Sequence, residues 1–263
     1  HYLPVSISSS VPKKPISYGL SIIDKLDTLV GFYLINEKPT SSKDPFALRR
    51  AAIGLLRTII ENNLTVKLRD LIDYSTRIYL EQGVKQFDID ANKNLLTFFR
   101  ERMKNILKDR KIRADIIEAS VSSHLSDDFL ELYKKTWVMN KFISKDLGKN
   151  AVSTYKRASN ILDQEKLVSK NGPDAVLFKY NEEKELFEKI NAIRKAFTLK
   201  EDKKNYENHL KLLSETKLST DKFFDNVKVN DENRDLKNNR LELLQILCST
   251  FNSFVDFSKL EGT

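Results

Sequence analysis

A chain of 263 residues, 40 % apolar and 31 % charged, is long enough for one to three domains with a buried core. No apolar run approaches membrane-spanning length, and the opening residues do not read as a secretory leader. The single cysteine, Cys248, excludes an intrachain disulfide framework and suits a reducing compartment. The net charge of +8 suits a polyanionic partner without specifying one. It is also uneven, because residues 150–263 hold 20 basic against 19 acidic side chains and nearly all of the excess precedes them.

Five of the six prolines lie at or before Pro45, and glycine occurs only seven times. So few breakers predict an all-α protein built mostly of long helices. The opening, His1 to Ser17, holds Pro4, Pro12 and Pro15 and reads as extended. Apolar periodicity then predicts helices over Tyr18–Leu34, Pro45–Asn62, Leu68–Gln82, Asn92–Arg110, Ala114–Ser122, Phe129–Ile143, Ala151–Asp163, Glu182–Lys195, Lys203–Thr216, Ser219–Phe224 and Asp235–Phe257. The alternating NVKVN is too brief to read as a strand. Asn171-Gly172-Pro173 marks a turn, and DENRDLKNNR reads as a polar loop before the last helix. Three blocks follow, 1–63, 64–149 and 150–263, the last boundary resting on Gly148 and the change in charge.

The best-marked helix start is SSKDPFALRRAAIGLL, Ser41 to Leu56. Asp44 is placed to cap and Pro45 to occupy the first helical position, where its missing N–H costs nothing. Phe46, Ile53, Leu56 and Ile60 recur at helical spacing, with Arg49, Arg50 and Arg57 between them. The SSKD turn offers a small anion nest at a helix start, although a plain capped turn accounts for it better.

No residues assemble a catalytic constellation. His1, His124 and His209 are far apart, and there is no His-Asp dipeptide. Asp24 and Asp27, three apart on one helix, suit caps or ion pairs better than a metal centre. Neither common glycine-rich phosphate loop is present. Cys248, inside LLQILCSTF, reads as a small core residue, and Trp137 as a core anchor. Catalytic, cofactor and metal residues are therefore all expected to be absent.

Binding residues are easier to nominate. Arg100, Lys104, Lys108 and Lys111 are spaced as one helical stripe within FFRERMKNILKDRKIR, which carries seven positive charges and two negative ones. A solvated face and a phosphate-binding face both fit that pattern. Tyr155, Lys156, Arg157 and Asn160 place a ring, two cations and an amide within two turns, a set suited to unpaired bases. Lys222 beside Phe223 and Phe224 is a further candidate, with at least one ring expected in the core. Arg240, after Asn239, suits an RNA contact or a structural ion pair equally.

Two long segments carry a family resemblance. DKLDTLVGFYLI with EKPTSSKDPFALRRAAIGLLRTIIE, and FFDNVKVNDENRDLKNNRLELLQIL from Phe223 to Leu247, closely resemble the bacterial glycyl-tRNA synthetase beta subunit. That family reads roughly ADKLDTLVG and PTGSKDPFALRRAALG; this chain departs at Ile23 and Ser41. The resemblance begins in mid-motif at His1, which implies a piece of a longer chain. It implies that block 1–63 is the end of an HD-like domain, that 64–149 is a helical body, and that 150–263 is an anticodon-binding bundle like that of arginyl-tRNA synthetases. It further implies a cytoplasmic glycine–tRNA ligase in which this subunit grips glycine tRNA by anticodon and body. An alpha subunit would use ATP to activate glycine within an alpha2-beta2 assembly. A non-enzymatic helical scaffold is the alternative, and an HD-type metal phosphohydrolase is a more distant one.

Overall fold

The computed structural model describes residues 2–5, 9–40, 42–84, 87–123, 127–165, 172–199 and 205–261. Among them are eleven α-helices, two short 3₁₀ turns and no strand, an all-α architecture. No helix among the described residues is long and apolar enough to cross a membrane. The chain divides into two compact units, one of residues 1–112 and 124–134, the other of 113–123 and 135–263.

In the first unit α1 (Pro15–Leu34) packs against α2 (Leu48–Glu61), α3 (Leu68–Glu81) and α4 (Ala91–Asp109). Leu29, Leu48, Leu55, Leu56, Ile59 and Phe99 form its dry core. The start of α2 differs from the sequence expectation. Pro45 does not open the helix; it occupies the second position of a turn closed by the Ala47 amide on the Asp44 carbonyl at 3.1 Å. Its fixed φ serves the turn instead of the helix. The helix begins three residues later, after Ala47 at φ 54°. Asp44 still caps, since its two carboxylate oxygens accept the Leu48 and Arg49 amides at 2.8 and 3.0 Å. The anion nest considered at this turn is thus filled by the chain's own carboxylate. Phe46 lies outside the helix, stacked on Phe32 with centroids 4.0 Å apart.

Two residues of the recognisable motifs meet inside this unit. Lys25 of DKLD is buried, and its Nζ donates to the Leu3 carbonyl at 3.0 Å and to Ser21 Oγ at 2.8 Å. Burial lowers its pKa from the ordinary lysine value. The Lys25 stem runs across Gly54 of AAIG, where a Cβ would stand 3.0 Å from Lys25 Cε.

Each of α1 to α4 ends in the same double-bonded cap. After α4, the Lys111 amide reaches the Lys108 carbonyl and the Ile112 amide reaches that of Leu107. This is the Schellman arrangement, which places one residue in the left-handed region. That residue is Asn36, Asn63, Gly83 and Lys111 in turn.

The second unit contains α5 (Ala114–Ser123), most of α6 (Phe129–Ile143), α7 (Asp146–Glu165), α8 (Asn181–Thr198), α9 (Tyr206–Ser214), α10 (Thr216–Asn226) and α11 (Arg234–Asn252). Both α7 and α8 pack against α9, α10 and α11. Helix α7 starts five residues before the predicted Ala151. Gly148 lies within its first turn, where a Cβ would collide with the Phe142 carbonyl at 2.3 Å, so close packing requires this glycine. Helix α11 stops at Asn252, five residues before the predicted Phe257; Phe254, Val255 and Phe257 stay in the core from the following turns. Cys248 is buried, and burial pushes its thiol up to about 12. Trp137 is only half-buried, with Lys141 Nζ 5.4 Å over its ring, so it is not the core anchor that its size suggests.

Candidate nucleic-acid interface

Helix α7 separates its candidates by face. Gly148, Ala151, Val152, Tyr155 and Ala158 point inward, whereas Ser153, Arg157, Asn160 and Gln164 form an exposed row at spacings of four, three and four. Tyr155 is therefore corrected from a base-stacking ring to a core residue. Its ring centroid lies 6.0 Å from that of Phe251 and 5.7 Å from that of Phe257, and its hydroxyl accepts from Asn252 at 3.2 Å. Burial raises its pKa. Lys156 is half-buried at the edge of the outer row, and Arg157 and Asn160 are exposed.

The Phe pair on α10 also divides. Phe223 is fully buried and is not available to RNA, while its neighbour Phe224 is half-exposed. Arg157 of α7 lies over the Phe224 ring, 4.2 Å from its centroid. The Arg157 Nη1 also faces Asp221 at 3.7 Å, and Asp221 pairs with Lys217 at 2.6 Å. Sequence reasoning named Phe224 only as one of a pair, and it missed Lys217 and Asp221. Their spacing of four and three along α10 was the available signal for one shared face. Lys222 is exposed and pairs loosely with Glu185 at 3.5 Å.

Arg240 is the third correction among the nominated residues, taking the structural one of its two readings. Its side chain is 1 % exposed. Nε donates to Glu183 Oε1 at 2.8 Å, and Nη1 donates to Asp231 Oδ2 at 2.7 Å and to the Lys228 carbonyl at 2.9 Å. The other Glu183 oxygen accepts the Lys179 and Tyr180 amides at the start of α8. The adjacent Asn239 bonds both ways to the Asp174 backbone, accepting from its amide at 2.6 Å and donating to its carbonyl at 3.0 Å. The Asn-Arg pair thus fastens two loops to α11 and presents nothing to an RNA.

The α4 stripe is weaker than its spacing suggests. Arg100 is 3.4 Å from Asp127, which also takes Arg69 at 2.7 Å, and Lys104 pairs with Glu101 at 3.2 Å. Lys108 is exposed. Lys111 lies beyond the helix end in its left-handed cap and is not on the stripe. No group of three or more His, Cys, Asp or Glu that could hold a metal ion occurs among the described residues. Asp24 and Asp27 are exposed on α1, and His209 is buried and stacked on Phe197 with centroids 4.2 Å apart. His1, Ser41, His124 and Asn171 lie outside the described residues.

Comparison with known proteins bears on both units. Residues 1–122 match the family model of the glycyl-tRNA synthetase beta subunit, and residues 152–257 match that of the DALR anticodon binding domain. The glycine–tRNA ligase beta subunit of Ruegeria sp. (strain TM1040) is 33 % identical over 266 residues, covering 100 % of this chain. Those of Rickettsia africae (strain ESF-5) and Rickettsia conorii (strain ATCC VR-613 / Malish 7) are each 38 % identical over 261 residues, 99 % of this chain. Residues 1–122 belong to the glycyl-tRNA synthetase beta-subunit family, and the similarity to its members runs the length of the chain. The chain spans 37 % of the length of these relatives. Within this family assignment, the α7–α10 face and the Arg240 network both fall inside the anticodon-binding match.

Proposed function

We propose that this chain is a tRNA-gripping part of a glycine–tRNA ligase beta subunit, acting in the cytoplasm. The observation that carries this reading is the position of the anticodon-binding match. It covers the helical unit whose outer α7 row bears Arg157 and Asn160 next to Lys156. Unpaired anticodon bases are read by stacking and by hydrogen bonds to their edges, and guanidinium and carboxamide groups supply both. Glycine anticodons end in two cytosines, each of which presents a donor and acceptors. Lys108 and its exposed neighbours on the first unit add phosphate contacts, which position the tRNA body without reading sequence.

Chemistry falls to the partner. An alpha subunit activates glycine with ATP and transfers it, within an alpha2-beta2 assembly, while the beta subunit uses distant contacts to place the acceptor end. The chain alone is expected to support no glycine-dependent ATP–pyrophosphate exchange. Binding of the full chain to a glycine tRNA and to a non-cognate tRNA, titrated at rising salt, tests the reading. A preference for glycine tRNA and a steep loss of affinity with salt are expected. Equal binding of the two tRNAs would support a scaffold instead.

A further inference from the structure

The contact between Arg157 and Phe224 does not have the form of a structural clamp. An arginine that ties two helices together makes short, forked bonds to a carboxylate. Here Asp221 lies 3.7 Å from Arg157 Nη1 and 2.6 Å from Lys217 Nζ, so the carboxylate is engaged mainly by the lysine. What holds the guanidinium is the Phe224 ring beneath it, 4.2 Å away. The Arg157 side chain is nevertheless 48 % exposed, so the face turned from the ring is open to solvent.

The surroundings complete a receptor for a flat, polar-edged group. Asn160 and Gln164 follow Arg157 on the same exposed row of α7. Each carboxamide offers a donor pair and an acceptor. Lys217, paired with Asp221, flanks the site, and Lys156 adjoins Arg157 in sequence, so cations stand against the Asp221 carboxylate. That mixed charge suits a single base with its phosphate better than a long phosphate track.

We propose that Arg157, supported from below by Phe224, is the stacking shelf for one unpaired anticodon-loop base, and that Asn160 reads the edge of that base. This rests on the reading that the chain binds tRNA through its anticodon. A planar guanidinium backed by a ring stacks on a base as an aromatic side chain does. An ammonium cannot, so charge alone does not reproduce the site.

The test uses the full chain with Arg157→Lys, Phe224→Leu and Asn160→Ala, each checked for native helix content by circular dichroism. Two probes are used: a glycine-tRNA transcript carrying 2-aminopurine in its anticodon loop, and the same transcript with its anticodon replaced. Arg157→Lys and Phe224→Leu are each expected to weaken binding of the first transcript on the order of ten-fold, with loss of the 2-aminopurine signal change. Binding of the second transcript should be unaltered, and Asn160→Ala should reduce discrimination between the two. If the unaltered chain discriminates between the transcripts and both shelf variants do so equally well, the shelf is overturned while the anticodon reading stands. An equal loss on both transcripts also overturns it, because that marks a plain phosphate contact. If the unaltered chain does not discriminate at all, the anticodon reading itself fails, and the shelf with it.

Discussion

The Nε of Arg240 on α11 stands 2.8 Å from Oε1 of Glu183 on α8, with both side chains 1 % exposed. Taking one charge from this buried pair leaves the other only partly compensated, Arg240 by Asp231 and Glu183 by two backbone amides. Arg240→Ala and Glu183→Gln are each expected to destabilise the second unit by about 3–5 kcal/mol, read as a lowered urea midpoint. The double variant Arg240→Met with Glu183→Leu should recover only part of that loss, because it removes both core charges but leaves the Lys179 and Tyr180 amides without the Glu183 oxygen.

Acid should weaken the same network. The Asn233 amide and then the Arg240 guanidinium hold the Asp231 carboxyl below the usual carboxylate range. Between the lowered folded value and the unfolded one, the unfolded chain binds the extra proton, so stability there rises with pH. The contribution is whole above the unfolded pKa and is lost as pH falls through the folded one. The difference in urea midpoint between the unaltered chain and Asp231→Asn should therefore hold steady down to the ordinary aspartate range, about pH 4, and shrink as pH falls further.

Lys111 occupies a left-handed position, φ 60°, which Asn36, Asn63 and Gly83 fill at the three preceding helix ends. A side chain of its kind is disfavoured there. Lys111→Gly is expected to stabilise the first unit by about 0.5–1 kcal/mol, seen as a raised midpoint in thermal unfolding. The same substitution at exposed Lys108, inside the helix, should destabilise by about 1 kcal/mol.

Asp44 satisfies two amides at the start of α2. Asp44→Ala should cost about 1 kcal/mol by urea unfolding, and Asp44→Asn distinctly less. Pro45→Ala is expected to cost less than a change at a first helical position would suggest, because Pro45 belongs to the turn.

Local pattern revealed most of the helices and few of their partners. The periodicity over Phe129–Ile143 reproduces α6 to the residue. The boundaries that moved each reflect a force that helical spacing does not report. These are the turn that uses Pro45, the close approach that needs Gly148, and the apolar tail of α11 that stays buried without remaining helical. Among the binding candidates, Arg240 and Tyr155 carry the chemistry of an RNA contact yet lie in the core. Glu183 is 57 positions from Arg240, and Asn252 is 97 positions from Tyr155, so neither partner shows in a local window. The exposure of Arg157 and Asn160 was legible, because each stands two residues, roughly half a helical turn, beyond the buried Tyr155 or Ala158. The role of Phe224 was not, since two adjacent phenylalanines look alike until the helix assigns each a side.

The crossing of Lys25 over Gly54 links positions that lie far apart in the chain. A single methyl group at 54 would displace the lysine stem and, through its Nζ, loosen the hold on the Leu3 carbonyl. Bulk at 54 and reach at 25 are therefore one shared quantity. A relative that gains a larger residue at the first should carry a shorter one at the second, or anchor its opening strand of residues by other means.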